Sequence, residues 1–182
     1  MTLYIISGAN GSGKTTFAKL FAQTNELYFI NADEIAKELD SNNITKYKVK
    51  AGKIFFQELK NQFATVRSFV IETTLSGKYL IDYINQAKHL GYEIKLIYIF
   101  LEKPTINIMR VNHRVLNGGH NVPQEDIIRR FYRSKTMFWN VYKNIVNSWS
   151  LYYNSDEIFE KVADNGKILD EEKYNIFLKD IK

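Results

Sequence analysis

Short apolar runs alternate along the chain with stretches in which apolar residues recur every third or fourth position, and the two periods predict strands and helices in turn. Leu3-Tyr4-Ile5-Ile6-Ser7 reads as a strand that runs into a glycine-rich loop, after which Phe17, Leu20 and Phe21 recur at helical spacing. Leu27–Ile30 reads as a second short strand. Asn31 stands as an N-cap with Glu34 three residues on, so Asn31-Ala32-Asp33-Glu34 starts a helix that Ile35 and Leu39 continue. Gly52, Phe55, Phe56, Leu59 and Phe63 share one face of a longer helix. Phe69-Val70-Ile71 is a buried strand ending at Glu72-Thr73-Thr74, and Leu80, Ile84 and Ala87 line the next helix, with Gly91 as its C-cap. Ile94–Leu101 is a long apolar strand, and Pro104 sits in the first turn of the helix that follows. Gly118-Gly119 break that helix and Pro123 opens the next. Trp149–Tyr153 is a last core strand, Asp164-Asn165-Gly166 a turn, and Tyr174, Phe177, Leu178 and Ile181 mark a closing amphipathic helix.

Strands alternating with helices imply parallel pairing and right-handed crossovers, hence an open α/β sheet covered on both faces. No repeat or linker divides residues 1–182, so a single domain is expected. The segment from Gly118 to Pro123 joins two arginine-bearing helices, and the region of about 110–133 is the expected mobile lid.

Composition removes several chemistries. There is no cysteine, which excludes a disulfide scaffold, a thiolate metal site and a cysteine nucleophile. The three histidines, His89, His113 and His120, are too scattered for a zinc site. The longest clean apolar run, Leu96–Leu101, falls far short of the ~20 residues that span a bilayer. Met1-Thr2-Leu3 leads into a strand with no basic segment before it, so no signal peptide, no membrane and a cytoplasmic location are expected.

The net charge of +5 changes the picture only through its distribution. Five of the six arginines, Arg110, Arg114, Arg129, Arg130 and Arg133, fall in one stretch, while lysine carries the positive charge nearly everywhere else. Arginine is favoured where a planar fork must grip phosphate oxygens. This clustering points to bound phosphate rather than to nucleic acid as partner.

A second phosphate signal lies near the N-terminus. Gly8-Ala9-Asn10-Gly11-Ser12-Gly13-Lys14-Thr15 fits G-x-x-x-x-G-K-[ST] in full, after a predicted strand and before a predicted helix. Its backbone N–H groups are expected to cradle the phosphates at a helix N-terminus, with Thr16 in the same helical turn. Lys14, taken as an exposed loop lysine, would reach the β- and γ-phosphates of ATP, and Thr15 would ligate Mg²⁺.

The type of site follows by comparison. A GTPase would carry Asn-Lys-x-Asp, which is absent, and Leu75-Ser76-Gly77 imitates only the start of an ABC signature. An AAA-type ATPase would carry adjacent acids where Glu72 is followed by Thr73. A small P-loop kinase needs an acceptor-side acid, a substrate platform and an arginine lid, and this chain has candidates for all three.

Asp33 follows the second strand, at the carboxyl edge where parallel sheets bind ligands. It could take a hydroxyl proton or help hold Mg²⁺, or it could merely complement the helix dipole. Glu72 and Thr73 end the third strand in the same crevice, and Glu72 could orient the acceptor hydroxyl or a magnesium-bound water, or belong to a buried polar network. Arg110 and Arg114 share a helix face, as do Arg129 and Arg133, and His120 is expected only to shape the turn between those helices.

These stretches together resemble the zeta-toxin family of P-loop kinases, in its compact chromosomal branch. The resemblance is carried by Gly8–Thr15, Asn31 to Ile35, Glu72 to Gly77, Arg114 through Gly118-Gly119-His120-Asn121-Val122-Pro123 to Arg130-Phe131, and Tyr153-Asn154-Ser155. The His-Pro segment that many members carry after the acidic motif is absent beyond Ala36-Lys37. The resemblance implies a parallel sheet in the order 2-3-1-4-5 and transfer of the ATP γ-phosphate to the 3′-hydroxyl of UDP-N-acetylglucosamine, which starves cell-wall synthesis. It implies Asp33 as base, Glu72 as an amino-sugar contact, Arg114 and Arg130 as the phosphate-neutralising pair, Arg110 stacked on adenine, and a small antitoxin protein as partner. The alternatives left open by the residues are a polynucleotide 5′-hydroxyl kinase and a P-loop ATPase or nucleotide switch without a sugar acceptor.

Overall fold

The computed structural model describes residues 1–40 and 44–181. Strand β1 (Thr2–Ser7) is followed by α1 (Lys14–Thr24), β2 (Tyr28–Asn31), α2 (Ala32–Leu39), α3 (Ile44–Thr65), β3 (Phe69–Thr73), α4 (Ile81–His89) and β4 (Glu93–Phe100). Then come α5 (Pro104–Leu116), α6 (Gln124–Asn140), β5 (Ser148–Tyr153), β6 (Glu160–Asp164), β7 (Lys167–Ile168) and α7 (Glu171–Leu178). The strands form one sheet in the order β2-β3-β1-β4-β5-β6-β7. Its first five strands are parallel and stand in the expected order, with β1 between β3 and β4.

Successive residues of a strand face opposite sides, so the central strands feed two cores. Leu3 and Ile5 of β1 join Phe69, Ile71, Leu96 and Tyr98 beneath Phe55, Leu59, Phe138 and Phe177 of the helices on one side. Ile6, Val70 and Ile99 meet Ala18 and Ala22 of α1 on the other. This corrects the expected face of α1, whose Leu20 is 63% exposed while Phe17 and Phe21 only flank the contact. The P-loop delivers α1 directly onto the sheet, and alanine lets a helix approach where larger side chains would hold it off.

Two antiparallel strands lie beyond the expected five. β6 pairs with β5 and β7 with β6, joined by Asn165-Gly166 with φ of 48° and 89°. Positive φ at both positions is the two-residue hairpin geometry that Asn-Gly favours, so the expected turn is the tip of a hairpin. At the helix ends the reading is close: Asn31 caps α2 through hydrogen bonds its Oδ1 accepts from the Asp33 and Glu34 amides. Pro123 opens α6 from its N-cap position, and Leu90 rather than Gly91 is the C-cap of α4, with Gly91 (φ 82°) following it. Among the described residues no helix is long and apolar enough to cross a membrane.

A buried cation ties the C-terminal segment to α6. Lys135 is 1% exposed, its Nζ donates to Asp180 Oδ2 at 2.6 Å, and it lies 4.3 Å from the centre of the Phe131 ring. Burial pushes its pKa below the usual lysine value, against the pull of Asp180. Asp180→Ala leaves the Lys135 cation buried and unpaired and is expected to lower the unfolding free energy by about 3 kcal/mol, whereas Lys135→Met should cost less, because the Asp180 carboxylate it leaves is 20% exposed and can be hydrated. Urea unfolding of the two variants checks this.

Candidate active site

The loop between β1 and α1 wraps around its own backbone, with Gly8, Gly11 and Gly13 at φ of 149°, 79° and 87°. At Gly13 a side chain would be strained by the positive φ and would also run into the Asn154 amide, so the loop closes only with glycine there. Two buried asparagines absent from the sequence-based site hold this loop from outside. Asn107 of α5 donates to Asn10 O at 2.6 Å, and Asn154, just after β5, donates to Ser12 O at 2.9 Å. Helical asparagine and strand-end asparagine are common, and only the crossing of α5 and β5 over the loop shows their purpose.

Lys14 begins α1 and is 6% exposed, which corrects its reading as an exposed loop residue. Its Nζ lies 3.6 Å from Glu72 Oε1. Thr15 Oγ1 donates to the same oxygen at 3.0 Å, and Asn31 Nδ2 donates to Glu72 Oε2. β3 and β2 are paired in register Asn31↔Glu72, which explains the last contact. Burial pushes the Glu72 carboxyl above the ordinary carboxylate range, opposed by the Lys14 cation and the Thr15 and Asn31 hydrogen bonds, while the Asp33 charge adds to the rise. Thr16 points to solvent.

A cavity of about 380 Å³ opens beside this cluster, lined by Asn10, Lys14, Asp33, Glu72, Thr73 and Arg130 among others. Its far wall comes from α3, through Lys48, Gly52, Phe55 and Phe56. Sequence periodicity placed Gly52, Phe55 and Phe56 on one helix face, but helical periodicity cannot distinguish a face that covers a core from one that also borders a cleft. The floor continues through Thr74, Ser76 and Tyr79. Leu75 turns the chain there with φ 54°, an unfavourable conformation for a branched side chain, and its amide is fixed on Thr73 Oγ1 at 3.1 Å.

The arginines divide. Arg130 of α6 lines the cavity and donates from Nη1 to Asn10 Oδ1 at 3.1 Å. Arg114 of α5 donates from Nη2 to His120 O at 3.0 Å, and Arg110 from Nη2 to Ser155 O at 3.0 Å. Arg129 makes an exposed pair with Asp126 at 2.7 Å, and Arg133 is exposed on the same helix. The expected sharing of a helix face by Arg129 and Arg133 therefore leads away from the cavity. Asp33, in the first turn of α2, presents a half-exposed carboxylate to the cavity.

His120 was expected only to shape its turn. Instead it lines the cavity with its Nε2 3.9 Å from Asp33 Oδ2. Burial holds its imidazole pKa below the ordinary value, with Asp33 opposing and the cations of Arg114, Lys48 and Lys14 acting in the same direction as burial. A neutral ring is the result near pH 7.

The residues fit a nucleotide with its metal. Ser12 Oγ is buried in the loop without a hydrogen-bond partner among the described residues, Lys14 stands at the helix N-terminus, and the adjoining donors are hard oxygens, Thr15 Oγ1 and Glu72 Oε1. Mg²⁺ prefers such a sparse oxygen set completed by water and phosphate.

A family model described as AAA domain matches residues 3–130. The single acid at the end of β3, read above against an AAA-type ATPase, is thus no bar to a match with this family. An uncharacterized protein of Haemophilus influenzae is 33% identical over 129 residues, covering 69% of this chain and 88% of that protein. Among solved structures, the AvrRxo1-ORF1:-ORF2 complex with ATP matches with a TM-score of 0.74 and 19% identity, over 96% of this chain and 62% of that one. The PezAT chromosomal toxin-antitoxin system of Streptococcus pneumoniae matches with a TM-score of 0.66 and 18% identity, over 99% and 78%. This chain therefore spans about three fifths of the first of these structures, and the likeness is one of fold.

Proposed function

Because the chain belongs to the AAA domain family and has the fold of a P-loop kinase, we propose that it is an ATP- and Mg²⁺-dependent kinase acting on a hydroxyl of a small molecule. The observation that carries this reading is that Asp33, the P-loop lysine Lys14 and Arg130 line one cavity. A hydrolase needs only room for water, whereas this cavity extends along α3 to Phe55, Phe56 and Lys48, away from the loop. The acceptor we assign is a sugar nucleotide, the 3′-hydroxyl of UDP-N-acetylglucosamine. The zeta-type motifs support it, as does an apolar wall that ends in a lysine suited to an anionic group. A small antitoxin-type protein is the partner that the same motifs suggest.

In this reading the loop amides hold the phosphates, and Lys14 follows the γ-phosphoryl group as charge moves onto it. Thr15 and Glu72 are the residues that would hold Mg²⁺, which would supply positive charge to offset that of the phosphates. The hydrogen bond from Thr15 to Glu72 supports reading Glu72 as a metal-side residue. Asp33 accepts the hydroxyl proton, and Arg130, already on Asn10 of the loop, neutralises the phosphoryl in transit.

The test is incubation with γ-labelled ATP and a panel containing UDP-N-acetylglucosamine, free sugars, a 5′-hydroxyl oligonucleotide and water alone. Label on the sugar nucleotide supports the proposal. Label on the oligonucleotide, the outcome that the net charge of +5 would favour, or release of free phosphate alone would replace it. In the same assay Arg130→Ala is expected to lower kcat by about 10²-fold with little change in the KM for ATP. Arg130→Lys should restore only part, since a point charge does not reproduce the guanidinium fork. Arg114→Ala should cost less, because its guanidinium is committed to the His120 carbonyl.

A further inference from the structure

We propose that His120 and Asp33 together form the seat of the acceptor hydroxyl, the imidazole Nε2–H holding the oxygen while the carboxylate takes its proton. This rests on the kinase reading above and adds a residue to it. The two side chains are 3.9 Å apart, too far for a direct hydrogen bond, and both face the cavity. An oxygen atom fits between them at about 2.8 Å from each, the ordinary distance for both bonds. A hydroxyl is the group that can serve such a gap, since it donates to one side and accepts from the other.

The seat is assembled from two separate parts of the chain. Asp33 is fixed on α2 by the Asn31 cap. His120 arrives on the turn after α5, and that turn is held by α5 itself. Arg114 Nη2 donates to the His120 carbonyl, the Gly119 amide donates to Arg114 O at 2.9 Å, and a side chain at Gly119 would stand 2.5 Å from Arg114 Cγ. Only glycine lets the turn lie this close to α5. The imidazole is 14% exposed against 47% for the Asp33 carboxylate, so the histidine forms the enclosed side and the acid the open one.

During transfer the O–H bond breaks, its proton passes to Asp33 Oδ2, and the oxygen bonds to the γ-phosphorus as the bond to the β-γ bridging oxygen breaks. The ADP leaves with that oxygen, the Asp33 proton returns to water, and His120 keeps its own proton throughout. Its Nε2–H bond to the hydroxyl oxygen strengthens as negative charge grows there.

The experiment measures kcat and KM of His120→Ala, His120→Gln, Asp33→Asn and the Asp33→Asn/His120→Ala double variant. Two acceptors are used, UDP-N-acetylglucosamine and water, the latter read as ADP release without sugar nucleotide. His120→Ala is expected to lose about 10- to 100-fold in kcat for both acceptors with the KM for ATP unchanged. His120→Gln, whose amide donates from nearly the same place, should regain most of it. The double variant should be no slower than Asp33→Asn alone, since the two groups act on one oxygen. Wild-type kcat in His120→Ala, no rescue by glutamine, or losses that multiply would overturn the seat while leaving the kinase reading intact. An unmodified protein that hydrolyses ATP but labels no acceptor overturns the kinase reading; the water arm then still judges the seat.

Discussion

Lys14→Ala is expected to lower phosphotransfer by at least ~10²–10³-fold. The ammonium group stands at the N-terminus of α1 inside the glycine-rich turn, where it is nearly enclosed. A cation in that position meets charge that grows on the γ-phosphoryl oxygens with little water to screen it. Its neighbour Glu72 Oε1, at 3.6 Å, adds a consequence for the fold. Without the lysine the buried carboxylate loses the cation that most opposes the rise in its pKa, and it takes up a proton more readily. Because Thr15 and Asn31 still donate to Glu72, the expected loss of stability is only about 1–3 kcal/mol. Steady-state kinetics beside urea unfolding separates the two effects. A folded Lys14→Ala protein with unchanged transfer would remove the nucleotide assignment altogether.

Asp33→Asn is expected to lower transfer to the acceptor by about 10²–10⁴-fold while ATP binding survives. Asparagine keeps the volume and one carbonyl oxygen toward the cavity but has no basic site for the hydroxyl proton. The competing role is that of an acid in the first turn of α2, where it complements the helix dipole. Lost alone, that role costs ~0.3–1 kcal/mol of stability and almost no rate. The Asn31 side chain already satisfies the Asp33 and Glu34 amides, so the cap does not depend on the Asp33 carboxylate. Single-turnover kinetics with calorimetric titration of ATP distinguishes the outcomes, because one changes the chemical step and the other only the unfolding curve.

Local physics made much of this protein legible in its amino-acid order. The glycine spacing before Lys14-Thr15, the Asn31 cap and the alternation of β and α periods each depend on residues within a few positions of one another. That range covers a phosphate loop, a helix start and a parallel α/β sheet. Even the order of the five parallel strands followed once contiguous motifs pointed to a known family. The antiparallel β6–β7 pair was less visible, because five residues and two are too few to show a period. The partners of particular side chains depended on distances along the chain that no motif spans. Lys14 is buried because Glu72, at the end of β3, comes beneath it, and Asn107 and Asn154 hold the loop because α5 and β5 cross it. His120 changes from turn former to neighbour of Asp33 because Arg114 and Gly119 fold its turn back over α2. The sequence by itself determined which chemistry the chain carries, since backbone propensity and motif spacing are local. Only the tertiary structure decided which groups share one cavity, since that depends on how helices pack across a twisted sheet.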